Sequence, residues 1–207
     1  MILKAKHHFI IYPFFIWYGN WLIRRKFSKV SLSGDFIDRK LPVLMVANHV
    51  SWWDGFWALY LNINSFSRRF YFMMQEDRLR KYWYFNHCGG YSVNKKSRSI
   101  LTSLEYSREL LKDPSNLVLI FPQGKIQSMH QQNIHFEKGI GKITEGMEGK
   151  IHLVMVVFLT DYFSSSKPGL FIYLREYKNG KFDREALEKA YQNFYDACLK
   201  QQTNRGE

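Results

Sequence analysis

Six short apolar runs constrain this chain more than any other feature: Val43 to Ala47, Phe70 to Met74, Tyr91 to Asn94, Leu117 to Phe121, His152 to Leu159 and Leu170 to Tyr177. Val43 to Ala47 reads VLMVA between Pro42 and Asn48-His49, the pattern of a buried strand, and the others follow it. Helical periodicity fills stretches between them. Ser97 to Lys112 repeats Ile100, Leu101, Leu104, Leu110 and Leu111 before an Asp113-Pro114 stop. Asp183 to Lys200 places Leu187, Ala190, Tyr191, Phe194, Ala197 and Cys198 on one face, with Asp183 as N-cap. Strands alternating with helices predict an α/β fold, a single domain with a mixed central sheet flanked by helices.

Upstream, Phe9 to Ile23 reads FIIYPFFIWYGNWLI, with Lys4, Lys6, His7 and His8 before it and Arg24, Arg25 and Lys26 after it. The run falls short of the ~20 apolar residues that span a bilayer, and Pro13, Gly19 and Asn20 interrupt it. Trp17, Tyr18 and Trp21 suit the headgroup level, and the basic flanks suit anionic lipid. Residues 1–26 are therefore expected as a membrane-interface helical anchor and residues 27–207 as the α/β domain. The competing reading is an amphipathic helix packed on the protein's own core. A signal peptide is disfavoured, since no small-residue cleavage site follows and the run ends in RRKF.

A net charge of +12 over 207 residues points to anionic partners. Nucleic acid is one such class, but no nucleic-acid-binding motif is present and none is expected as partner. The two cysteines, Cys88 and Cys198, make neither a disulfide framework nor a zinc pattern, and suggest a reducing compartment.

The chemistry begins at Asn48-His49-Val50-Ser51-Trp52-Trp53-Asp54, where a His follows a strand end and an Asp stands five positions on, entering a helix. A carboxylate so placed can accept an imidazole N–H, fix the tautomer and stabilise the cation formed when the other nitrogen takes a proton from a substrate hydroxyl. Alone, this spacing is weak. Gly89-Gly90-Tyr91-Ser92-Val93-Asn94-Lys95, Phe121-Pro122-Gln123-Gly124-Lys125 and Phe136-Glu137-Lys138-Gly139 follow it, and strand-end loops of an open α/β sheet are where ligands bind.

In that order, Asn-His-x4-Asp, Gly-x4-Lys, Phe-Pro-x-Gly and Phe-x-Lys-Gly resemble the glycerolipid acyltransferases of the lysophosphatidate acyltransferase type, over roughly residues 45 to 160. The resemblance implies His49 as general base, Asp54 as its orienter, and Asn48, Gly90, Lys95, Phe121, Pro122, Gln123, Gly124 and Lys125 at the substrate. It implies acyl-CoA or acyl-carrier protein as co-substrate, with no bound cofactor and no metal. It further implies a lysophospholipid acceptor, membrane lipid as partner, a place on the cytoplasmic face of the membrane and, by analogy, an oxyanion hole near Gly124.

Three departures bear on the acceptor. Lys95 stands where the family usually has Arg and lacks the planar bidentate contact of a guanidinium, with Lys96 and Arg98 as neighbouring cations. The usual Phe-Pro-Glu-Gly-Thr-Arg becomes Phe121-Pro122-Gln123-Gly124-Lys125-Ile126, losing one carboxylate and one guanidinium. Leu153 to Leu159 lacks the proline of the family's last motif. A neutral acceptor (glycolipid, aminolipid or pigment) and a non-catalytic basic membrane- or nucleic-acid-binding protein therefore remain alternatives. Trp52, Trp53, Phe56 and Trp57 read as an acyl-channel wall or as core, Tyr82 to Phe85 as a docking patch or a buried aromatic face, and Gln127 to His135 as a flexible acceptor-side loop.

Overall fold

The computed structural model describes residues 2–95, 97–178 and 180–205. In chain order the strands are β1 (Val30–Ser33), β2 (Val43–Ala47), β3 (Arg69–Gln75), β4 (Gly90–Val93), β5 (Asn116–Ile120), β6 (His152–Asp161) and β7 (Gly169–Glu176). The α-helices are α1 (Ile11–Lys26), α2 (Asp54–Leu61), α3 (Glu76–Lys81), α4 (Ser99–Leu110), α5 (Gly139–Thr144) and α6 (Arg184–Thr203).

The seven strands form one sheet in the order β1-β7-β6-β2-β5-β3-β4. β2 lies between β5 and β6 and runs parallel to both, and β3 runs parallel to β5 and β4. β7 turns back antiparallel to β6, and β1 adds parallel to β7. This is the mixed α/β sheet that the sequence predicts. Only β1 goes beyond the expected strands: VSLS is short, partly exposed and half serine, and its pairing Val30↔Leu170 is a long-range property that local pattern does not carry.

Side chains alternate across the sheet and divide the core in two. From β2, Leu44 and Val46 join one cluster while Val43, Met45 and Ala47 join the other. The first cluster is closed by residues of α4, α5 and α6, such as Leu104, Ile140 and Tyr191, and the second by Leu22 and Ile23 of α1 and Phe56 and Trp57 of α2. Both faces are thus covered, which is why the central strands are continuously apolar. Asp183 caps α6 as expected, its side chain accepting from Ala186 N at 2.8 Å.

The segment before α1 is tied to the region of β3 and β4. Ser92 N donates to the Leu3 carbonyl at 2.9 Å, His8 N to the His87 carbonyl at 3.1 Å, and His7 Nε2 to the Phe70 carbonyl at 2.9 Å. In α1, Pro13 sits in the first turn, where no helical N–H is lost. Gly19 allows close approach of α2: a Cβ there would meet Phe56 Cδ1 at 3.4 Å and Leu59 Cδ2 at 3.6 Å. The opposite face carries Phe14, Trp17 and Trp21 into the open at 50%, 61% and 41% exposure. Among the described residues no helix is long and apolar enough to cross a membrane.

Because β2 to β6 run the same way, the chain leaves β2 and β5 at one end of the sheet. The functional motifs converge there. Lys96 lies outside the described residues.

Candidate active site

Asn48 is the first residue past β2, and its side chain is buried. Its Nδ2 donates to the Phe158 carbonyl at 3.0 Å while its Oδ1 accepts from Phe158 N at 2.8 Å, so β2 is pinned to β6 at the point where the backbone turns out. His49 follows with a quarter of its side chain exposed, at 24%.

The chain then wraps around one carboxylate oxygen. Asp54 Oδ2 accepts from His49 Nδ1 at 2.8 Å, Val50 N at 2.6 Å and Ser51 N at 2.9 Å. Asp54 is the first residue of α2, where the helix dipole favours negative charge. Burial pushes its carboxyl above the ordinary carboxylate value, and the bonds from His49, Ser51 and Val50 pull it back. With an acceptor carboxylate on Nδ1, that nitrogen carries the proton and Nε2 presents its lone pair. The imidazole lies flat on Phe121, with centroids 4.2 Å apart and planes within 8°.

The loop after β5 closes the other side. His49 N donates to Gln123 Oε1 at 2.6 Å, Gln127 N donates to the His49 carbonyl at 2.9 Å, and Gln123 Nε2 donates to Gln127 Oε1. Glu137 N donates to the Pro122 carbonyl at 2.8 Å, drawing the Phe-Glu-Lys-Gly segment onto the same loop. Lys95 Nζ donates to Glu137 Oε1 at 2.8 Å. Gly124, at φ +65°, makes room for that pair, since a Cβ there would collide with Lys95 Nζ and stand 3.0 Å from Glu137 Cγ. Three separate motifs thus meet beside the His–Asp pair.

The sequence model of the family described as Acyltransferase matches residues 29–159, which hold all four motifs and more than half of the chain. The chain belongs to the acyltransferase family. The fold of this acyltransferase is similar to that of the 1-acyl-sn-glycerophosphate (LPA) acyltransferase PlsC from Thermotoga maritima, known from its crystal structure. The TM-score is 0.64 at 19% sequence identity, over 93% of this chain and 80% of that chain. No curated protein matches the chain.

The structure gives the other expected site residues of this acyltransferase specific intramolecular partners. Asn48 spends both ends of its amide on Phe158, and Gln123 spends its own on His49 and Gln127, so both hold the backbone around His49. Gly90 opens β4 at the end remote from Lys95, where a Cβ would meet the Phe85 carbonyl at 2.7 Å; its smallness serves packing. The Gly124 N–H donates to the Phe121 carbonyl at 3.0 Å and so is engaged in the turn. Pro122 is buried, while Lys125 and Arg98 are exposed.

Neighbouring segments also resolve. Trp57 is core, packed on Phe27 and Phe158, whereas Trp52 is 62% exposed three residues beyond His49. Tyr84 stacks on Phe15 of α1, and Phe85 packs against the same ring at a tilt. The 127–135 loop is pinned to α6, with Ile134 N on Gln192 Oε1 at 2.8 Å and Tyr195 Oη on the Gln131 carbonyl at 3.1 Å, so the expected looseness is replaced by side-chain anchors from a distant helix. Among the described residues no three His, Cys, Asp or Glu side chains gather as a metal site. Glu137 and Gln127 were not singled out by the sequence; Glu137 lies inside a motif, whereas nothing local marks Gln127.

Proposed function

We propose that the protein transfers a fatty acyl group from an acyl thioester to a hydroxyl of a lysophospholipid-like acceptor at a membrane surface. The 2.8 Å contact between His49 Nδ1 and Asp54 Oδ2, with Nε2 left to face an acceptor, carries this reading. His49 Nε2 removes the proton as the acceptor oxygen attacks the thioester carbonyl. A tetrahedral intermediate forms, the C–S bond breaks, and the proton passes from the imidazolium to the departing thiolate. Asp54 holds the tautomer and stabilises the imidazolium. The donor is acyl-CoA or acyl-carrier protein, and Lys95 and Lys125 are the cations available to an acceptor phosphate.

The exposed aromatic face of α1 is the proposed membrane contact. Phe14, Trp17 and Trp21 recur on one side, and Arg24, Arg25 and Lys26 form its basic last turn. Such a face lies at the headgroup boundary, on the cytoplasmic leaflet where anionic lipid attracts the charge. Trp52 brings exposed aromatic surface to the mouth of the site.

A neutral acceptor is the second reading, and the Lys95–Glu137 pair favours it, because a phosphate must compete with a carboxylate already 2.8 Å from the ammonium. The exposed Ile126 beside Lys125 adds apolar surface there. Incubation with labelled palmitoyl-CoA or palmitoyl-carrier protein and a panel of lysophosphatidate, a neutral lysolipid and a long-chain amine tests both. Label on lysophosphatidate is expected; label on the neutral acceptors alone selects the second reading, and no label with either donor overturns both.

A further inference from the structure

We propose that Gln123 and Gln127 form a two-amide clamp that positions His49, an inference that rests on the reading of His49 as the base. His49 N–H to Gln123 Oε1, Gln123 Nε2 to Gln127 Oε1, and Gln127 N–H to the His49 carbonyl close a ring of three hydrogen bonds. The ring holds the backbone donor and acceptor of His49, while Asp54 and Phe121 hold its imidazole. Gln123 is 3% exposed, so its amide is fixed by these partners and not by water.

The base needs this support because His49 lies beyond the last ladder position of β2, in the turn before α2. A misplacement of about 1 Å at a reacting group costs on the order of 10²-fold in rate. Gln123 and Gln127 are therefore positioning residues, and their effect falls on kcat.

Hydrogen-bond chemistry makes the clamp testable. Gln123 accepts from His49 N–H and donates to Gln127, and Gln127 accepts from Gln123. A carboxylate at position 123 still accepts from His49, and Gln127 restores the second bond by turning its amide to donate. A carboxylate at position 127 still accepts from Gln123. Two carboxylates leave the 123–127 link without a proton and place like charges in contact.

Gln123→Glu and Gln127→Glu are each expected to lower kcat only a few-fold. The double variant should fall roughly tenfold below the product of the two singles, with KM unchanged, the size of coupling seen for groups in one hydrogen-bond network. A double variant equal to that product, or losses confined to KM, overturns the clamp. Amide hydrogen exchange at His49 N–H gives a readout independent of turnover. Gln127→Ala, whose side chain does not touch His49, should accelerate that exchange without lowering the melting temperature, and unchanged exchange overturns the proposal. A wild-type enzyme that transfers no acyl group refutes the reading of function, and the exchange measurement still decides the clamp.

Discussion

Asp54 Oδ2 receives His49 Nδ1 at 2.8 Å together with the N–H groups of Val50 and Ser51, so the carboxylate that orients the base also organises the turn that carries it. Asp54→Asn keeps an oxygen for the backbone donors but removes the charge that stabilises an imidazolium. Activity should fall at least ~10²-fold, the low end for general-base catalysis.

Stability should move the other way with pH. Burial raises the Asp54 carboxyl above its ordinary value of 3.8, so the folded chain holds that proton more firmly than the unfolded chain. Between the ordinary and the raised value, the stability of the fold falls as pH rises. The melting temperature of Asp54→Asn, relative to wild type, should therefore be more favourable at pH 8 than at pH 4; a difference that is flat or reversed contradicts the assignment.

Asn48 should matter to stability before it matters to substrate. Asn48→Ala strands the N–H and carbonyl of Phe158 inside the sheet, at about 1–3 kcal/mol for each unsatisfied group. Chemical denaturation should show a loss of that order. A near-normal midpoint with a raised KM for acceptor would return Asn48 to the substrate.

The Lys95–Glu137 pair sets a test of the acceptor. Glu137→Gln removes the charge that competes for the Lys95 ammonium and should lower KM for lysophosphatidate while leaving a neutral lysolipid unaffected. Lys95→Ala should raise KM for the phosphorylated acceptor far more than for the neutral one. Equal effects on both acceptors remove Lys95 from phosphate binding.

Deleting residues 1–26 is a poor test of membrane contact, because Ile23 is fully buried and the segment before α1 bonds to the β3 and β4 region. Trp17→Lys with Trp21→Lys changes only the open face. Sedimentation with liposomes containing anionic lipid should drop sharply at an unchanged melting temperature, and undiminished sedimentation contradicts the proposed surface.

Strands such as β2 and β6 were legible because a strand buried on both faces is apolar throughout, and α6 because its stripe and Asp183 cap are local signals. β1 was not, since half of it is serine and its place comes from pairing with β7. At the site, His49 and Asp54 are five positions apart and join through a turn that spacing alone suggests. Lys95 and Glu137, by contrast, meet across the sheet's end only because β4 and β5 are brought together by β3. Gln123 and Asn48 were legible as polar residues in motifs but not as backbone partners, because the groups they bind, His49 N–H and Phe158, are brought to them only by the tertiary fold.

The most direct test replaces His49 itself. His49→Ala, purified with an unchanged melting temperature, should lose at least ~10²-fold in acyl transfer from palmitoyl-CoA or palmitoyl-carrier protein to whichever acceptor the wild type labels. Transfer within a few-fold of wild type would contradict the assignment of His49 as the base.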